Sequence, residues 1–110
     1  MHKEKEYYYL FFSVGWCCNT PQNGLAAEGD VYHVAVCRSE KPTGPFHDQE
    51  GKDCLNENGG TTILKSHGDV YAPGGQGVMV HPEDGRTVMY YHYGKLFDRS
   101  EFRMIANKKQ

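Results

Sequence analysis

Six histidines, four cysteines and fourteen carboxylates are the side chains of this 110-residue chain that could bind a metal or move a proton. The histidines are His2, His33, His47, His67, His81 and His92. No two stand two or four residues apart, and there is no HExxH, so no strand or helix face presents a pair of imidazoles. A lone strand histidine is ordinarily packed and hydrogen-bonded. His92 is the exception to follow, because it lies among tyrosines, where a neutral ring can hydrogen-bond or coordinate. The cysteines are Cys17, Cys18, Cys37 and Cys54, without a CxxC pair of the kind zinc sites use. Cys17 and Cys18 are adjacent. They close only a strained vicinal disulfide, pair elsewhere, or stay reduced. Cys37 and Cys54 are candidates for a loop-closing disulfide in an oxidising compartment. Four buried free thiols are the alternative.

Other chemistries find little support. There is no GxSxG, and Cys17-Cys18 has no His/Asn partner pattern, which argues against nucleophilic catalysis. The stretch APGGQG, residues 72 to 77, is rich in glycine but lacks a following GK[ST] and a helix. Without a helix N-terminus it is no phosphate cradle, and its use is to turn tightly or to let backbone approach a ligand. The carboxylates fall almost entirely in turns and charged stretches. None sits in an apolar strand, where burial would raise its pKa for general-acid work. The residues therefore offer an aromatic binding floor without an acid/base pair.

Strands must position that floor. YYYLFFSV, Tyr7 to Val14, is too aromatic and too short for a comfortable helix, and Gly15 stops it. Apolar residues on both of its faces predict a covered, central strand. Further strands are expected over Val31–Ser39, Thr61–Leu64, Gly77–His81 and Thr87–Tyr93, with Phe102–Ile105 as an edge strand. NTPQNGLAAEGD and SHGDVYAPGGQG read as loops, the second with a short strand at its start, and Asp84-Gly85 marks a hairpin turn. Residues 1–6 and 106–110 read as frayed. No convincing helix is present, so the class is all-β, with short antiparallel strands joined by Gly/Pro turns. The aromatic strands YYYLFFS and VMYYHY, about 80 residues apart, echo one another as the blades of a β-propeller do.

Composition sets the outer limits. A formal net charge of −2 carries no mark of a nucleic-acid or anionic-membrane binder. No stretch approaches the ~18 consecutive apolar residues of a membrane span. MHKEKE lacks the apolar segment of a signal peptide. A mean hydropathy of −0.71 is low for a self-sufficient core.

Taken in order, YYYLFFSVGWCC, YHVAVCRSEKPTGPF, NGGTTIL, YAPGGQGV and YYHY resemble family 43 glycoside hydrolases, and within them the fungal arabinan endo-1,5-α-L-arabinosidases. The likeness runs over residues 7 to 93. It implies part of a five-bladed β-propeller, about the last two blades: the end of the fourth and much of the fifth. It implies inverting hydrolysis of α-1,5-arabinosyl links by two carboxylates, with a third to orient the acid. None of the three carries over. The base and the orienting carboxylate belong to earlier blades. The acid belongs well upstream of the segment matching YYYLFFS, where only MHKEKE stands, and Glu4 and Glu6 are too close to the aromatic strand to be it.

The resemblance also places candidate substrate-binding residues. These are Cys17 and Cys18, whose vicinal disulfide would give a flat apolar surface for a sugar ring, together with Gly75, Gln76 and His92. Some members read GPGH, with a histidine near a central metal ion such as calcium. Here Gly75 replaces that histidine, which leaves His92 as the candidate metal ligand. The sequence itself requires no cofactor. The partner implied is arabinan or arabino-oligosaccharides, and the parent enzyme is expected to be extracellular and monomeric. A catalytically inactive carbohydrate-binding remnant and a structural β-domain are the alternative readings.

Overall fold

The structure is a computed structural model and describes residues 1–16, 30–68, 70–95 and 105–107. Its named elements are all strands: β1 (His2–Glu4), β2 (Tyr7–Val14), β3 (His33–Ser39), β4 (Thr61–Leu64), β5 (Val70–Val80), β6 (Thr87–Lys95) and β7 (Ile105–Asn107). They form two antiparallel sheets, β1-β2-β3-β4 and β5-β6-β7, in chain order. Within each sheet, strands adjacent in sequence are adjacent in space.

The strong β-formers behave as read. β2 and β4 have the expected bounds, and β2 lies inside its sheet, paired on both edges. Tyr7, Tyr9 and Phe11 share one face, with successive ring centroids 6.4 Å apart. That face turns toward the second sheet. Phe11 packs with buried Val34 and Leu64 against Met89, Tyr91, Val78 and Tyr93 of β5 and β6. Leu10 and Phe12, on the opposite face, line an open apolar groove with Pro45, Phe46 and Leu55. Residues Tyr7 to Ser13 are consequently all half-buried, so β2 is central in its ladder but only partly covered on its faces.

Four expectations are corrected. His2–Glu4 is not frayed: it pairs with Tyr7–Tyr9 across a tight turn in which Lys5 takes a φ of 55°. Charged residues suit an edge strand, and the Lys3 ammonium sits 5.2 Å from the centroid of the Tyr8 ring directly opposite. β3 begins at His33, because Val31 instead makes a parallel bridge with Trp16. The expected strand Gly77–His81 is the end of an eleven-residue strand, Val70–Val80, that includes the whole glycine stretch. The ladder to β6 survives there by breaking register between Tyr71 and Gly74 and again between Gly74 and Gly77. Each break leaves an extra residue on β5, which is how a strand absorbs a glycine-rich run. Finally, Ala106 and Asn107 belong to β7, paired with β6 and not frayed, while residues 102–104 of the expected edge strand lie outside the described residues.

Cys37 is fully buried and forms a disulfide with Cys54, tying β3 to the loop that precedes β4.

Candidate functional site

The period-two alternation of β2 puts Ser13 on the same face as Phe11, at the strand end that meets β5. Beyond it the backbone turns sharply. Gly15 has a φ of 99°, and a Cβ there would lie 2.6 Å from the Asp30 carbonyl oxygen, so only glycine fits. The close approach lets the Trp16 N–H donate to the Asp30 carbonyl at 2.7 Å and the Tyr32 N–H donate to the Trp16 carbonyl at 2.8 Å. The end of β2 is thus held against residues 30 to 32.

The irregular part of β5 faces this end. His67 and Val70 exchange backbone hydrogen bonds and set the strand's start, and the Ala72 N–H donates to Ser66 Oγ at 2.9 Å. Gly74 lies under the Tyr32 ring so closely that a Cβ would overlap it. Gly75 is then pushed out to solvent, with a φ of 60°. Its N–H donates to Ser13 Oγ at 3.1 Å, and Ser13 Oγ–H donates to Gln76 Oε1 at 2.9 Å. The exposed ring of His92 completes the edge: its Nδ1 is 3.4 Å from where a Gly75 Cβ would be. A cavity of about 480 Å³, lined by Tyr32, His33, Lys65, Ser66 and Tyr71, opens beside it.

Of the sequence candidates, Gly75, Gln76 and His92 therefore come together on one edge. Cys17 and Cys18 lie outside the described residues. Ser13, the hub of the arrangement, carries no motif. The signal available for it was its place on the inward face of β2, two residues beyond Phe11.

The described residues alone do not form a metal centre. Among the described residues no three His, Cys, Asp or Glu side chains gather as ligands. Calcium takes six to eight oxygens, whereas this edge offers one imidazole and an amide oxygen already bonded to Ser13. Among the described residues this edge has no acid/base pair either. Asp48 and Asp53 are both held below the ordinary carboxylate range by backbone N–H donors: for Asp48 mainly Gly60, then Lys52 and Glu50, for Asp53 mainly Asn56 and then Leu55. Hydrogen bonds to the charged form are the opposite of what a general acid needs. Glu4 accepts from the Thr87 hydroxyl at 2.7 Å, and Asp84 pairs with Arg86 at 2.8 Å.

Two successive antiparallel sheets packed face to face, each followed by the next along the chain, define part of a radial β-propeller. The model of glycosyl hydrolases family 43 matches residues 1–106. The chain belongs to that family, whose arabinanases are five-bladed propellers. It is 50% identical over 93 residues to the arabinan endo-1,5-alpha-L-arabinosidase A of Aspergillus niger, covering 84% of this chain and 28% of that protein. The corresponding probable enzyme of Aspergillus clavatus is 53% identical over the same length. Among solved structures, the alpha-L-arabinanase of Cellvibrio cellulosa superposes with a TM-score of 0.80 at 27% identity, covering 97% of this chain and 30% of that one. The family 43 endo-arabinanase of Bacillus licheniformis gives 0.74 at 27% identity, covering 96% and 32%. The chain thus spans less than a third of the length of these relatives.

Proposed function

We propose that this chain is part of an arabinan-hydrolysing glycosidase, the end of its fourth blade and much of its fifth, and that it supplies substrate-holding surface and no catalytic carboxylate. The observation that carries this reading is the β5 edge: a strand bulged outward at Gly75, anchored through Ser13, with Gln76 and His92 beside it. Short neutral polar groups next to tyrosine rings suit a sugar, whose faces are apolar and whose rim is hydroxyl. The Cellvibrio cellulosa relative has been solved with arabinohexaose, which supports an arabinose oligomer as the ligand class.

Inverting hydrolysis needs a protonated carboxyl to give the leaving oxygen its proton, and a carboxylate across the bond to activate water. The described residues hold neither at this edge. The residues placed here hold and orient the chain of sugars, while acid and base come from elsewhere in the longer enzyme. The Cys37–Cys54 disulfide favours an extracellular enzyme, since such bonds persist in oxidising compartments. A monomer with its blades closed into a ring is the expected state of that enzyme.

The test is to incubate the 110-residue chain with arabinan and with α-1,5-arabinohexaose. No reducing ends should be released, while the fluorescence of Trp16, the sole tryptophan, 68% exposed and three residues beyond Ser13, should titrate with the oligosaccharide. Released reducing ends would place a working acid/base pair in this chain and refute the division of labour.

A further inference from the structure

Ser13 makes two bonds that span the two sheets. It joins residues 62 and 63 positions away in sequence, and both lie in the irregular stretch of β5. A hydroxyl has one proton to give. Here that proton goes to Gln76 Oε1, and an oxygen lone pair takes the Gly75 N–H. The Gln76 amide is placed with its oxygen toward Ser13. With Oε1 engaged, the group remaining is Nε2, which carries two donors and no acceptor. Nε2 makes no hydrogen bond to a described residue, and the Gln76 side chain is only half-buried.

We propose that Ser13 is a positioning residue that fixes Gln76 as an outward-facing hydrogen-bond donor, so that the ligand atoms met at this edge are neutral oxygen acceptors: hydroxyl, glycosidic or ring oxygens of a furanose chain. This rests on the sugar-binding reading above and makes it specific. Ser13 touches no ligand in this account. It acts by choosing which end of Gln76 the ligand meets and by holding the Gly75 backbone beside His92. The same two bonds restrain the bulged stretch. Two glycines in succession, Gly74 and Gly75, would otherwise leave the strand loosely specified. Gly74 is held by the Tyr32 ring, and Gly75 is held by Ser13.

Three variants of the whole chain, titrated with α-1,5-arabinohexaose, separate orientation from mere packing. Ser13→Ala removes both bonds and should weaken binding about five- to tenfold, the loss expected for one well-placed hydrogen bond. Ser13→Thr keeps the hydroxyl and should restore affinity to within about twofold. Gln76→Glu still accepts the Ser13 proton but replaces the two outward donors by an acceptor, and should weaken binding by about tenfold. The Gly75 amide resonance reports the link itself. It should move in Ser13→Ala and stay in Ser13→Thr. Unchanged affinity in Ser13→Ala, no rescue by Thr, or full affinity in Gln76→Glu overturns the proposal. If Ser13→Ala fails to fold, the Thr and Glu variants decide it, since both keep the link. If the unsubstituted chain does not bind arabinohexaose, the sugar-binding reading falls and takes the ligand assignment with it. The Gly75 resonance then separately upholds or refutes the Ser13 link.

Discussion

Single residues set the two ends of the site and of the supporting loop. At Gly15 and Gly74 a Cβ would collide with a carbonyl and with a tyrosine ring, so both positions are glycine for want of space. The glycine richness of APGGQG was legible as a place where backbone comes close to something. What it approaches is Tyr32 and Ser13, which no spacing rule links to it. Asp48 plays the same organising part in the loop before β4. Its Oδ1 accepts from the Glu50 and Lys52 amides and its Oδ2 from Gly60. These bonds lower its pKa from the 3.8 of an unstructured aspartate, with Gly60 the largest cause. A group whose folded pKa is depressed adds stability above its unfolded pKa and loses it as pH falls through the folded one. Thermal stability should therefore hold steady near neutral pH and fall below about pH 3.8. Asp48→Asn, which has one acceptor oxygen and puts an NH2 donor in place of the other, should melt lower at neutral pH. The gap from the unsubstituted chain should narrow on acidification. A gap that widens in acid would contradict the assignment.

At the scale of elements, the apolar and β-branched segments announced themselves and the edges did not. Tyr7–Val14 and Thr61–Leu64 were readable to the residue, because each is a dense run of strand-forming residues with glycine at one end, Gly15 after the first and Gly59-Gly60 before the second. His2–Glu4 was not, because an edge strand needs only its backbone to pair and its charged side chains look like those of a tail. Val70–Val80 was read mostly as loop, since glycine and proline weaken local strand propensity, and the two bulges on β5 that keep it paired with β6 depend on that partner strand. The disulfide is the other inter-element tie. Cys37 and Cys54 are 17 residues apart, and closing a loop of that length should stabilise the fold by about 3 kcal/mol through the unfolded state. Urea unfolding with and without reductant measures this directly. A lower midpoint under reduction is expected, and coincident curves would show that the bond adds nothing.

The whole molecule is two blade-like sheets meeting over Val34, Leu64, Met89 and Tyr91, in a slab only 18 Å thick. Its class was legible from strand pattern and motif order. The meeting of Ser13, Gly75, Gln76 and His92 was only partly so, because it depends on how the end of one sheet sits against the bulged edge strand of the next. The open groove at Leu10, Phe12 and Phe46 has the same origin, since a sheet covered on one face leaves its other side chains half-buried. This inter-sheet edge is the proposed holding place for an arabinose oligomer. Mapping amide shifts of the labelled chain during titration with α-1,5-arabinohexaose tests it most directly. The shifts should concentrate at Ser13, Gly75, Gln76 and His92. Shifts confined to the Leu10–Phe12 groove, or none at any oligosaccharide concentration, would contradict it.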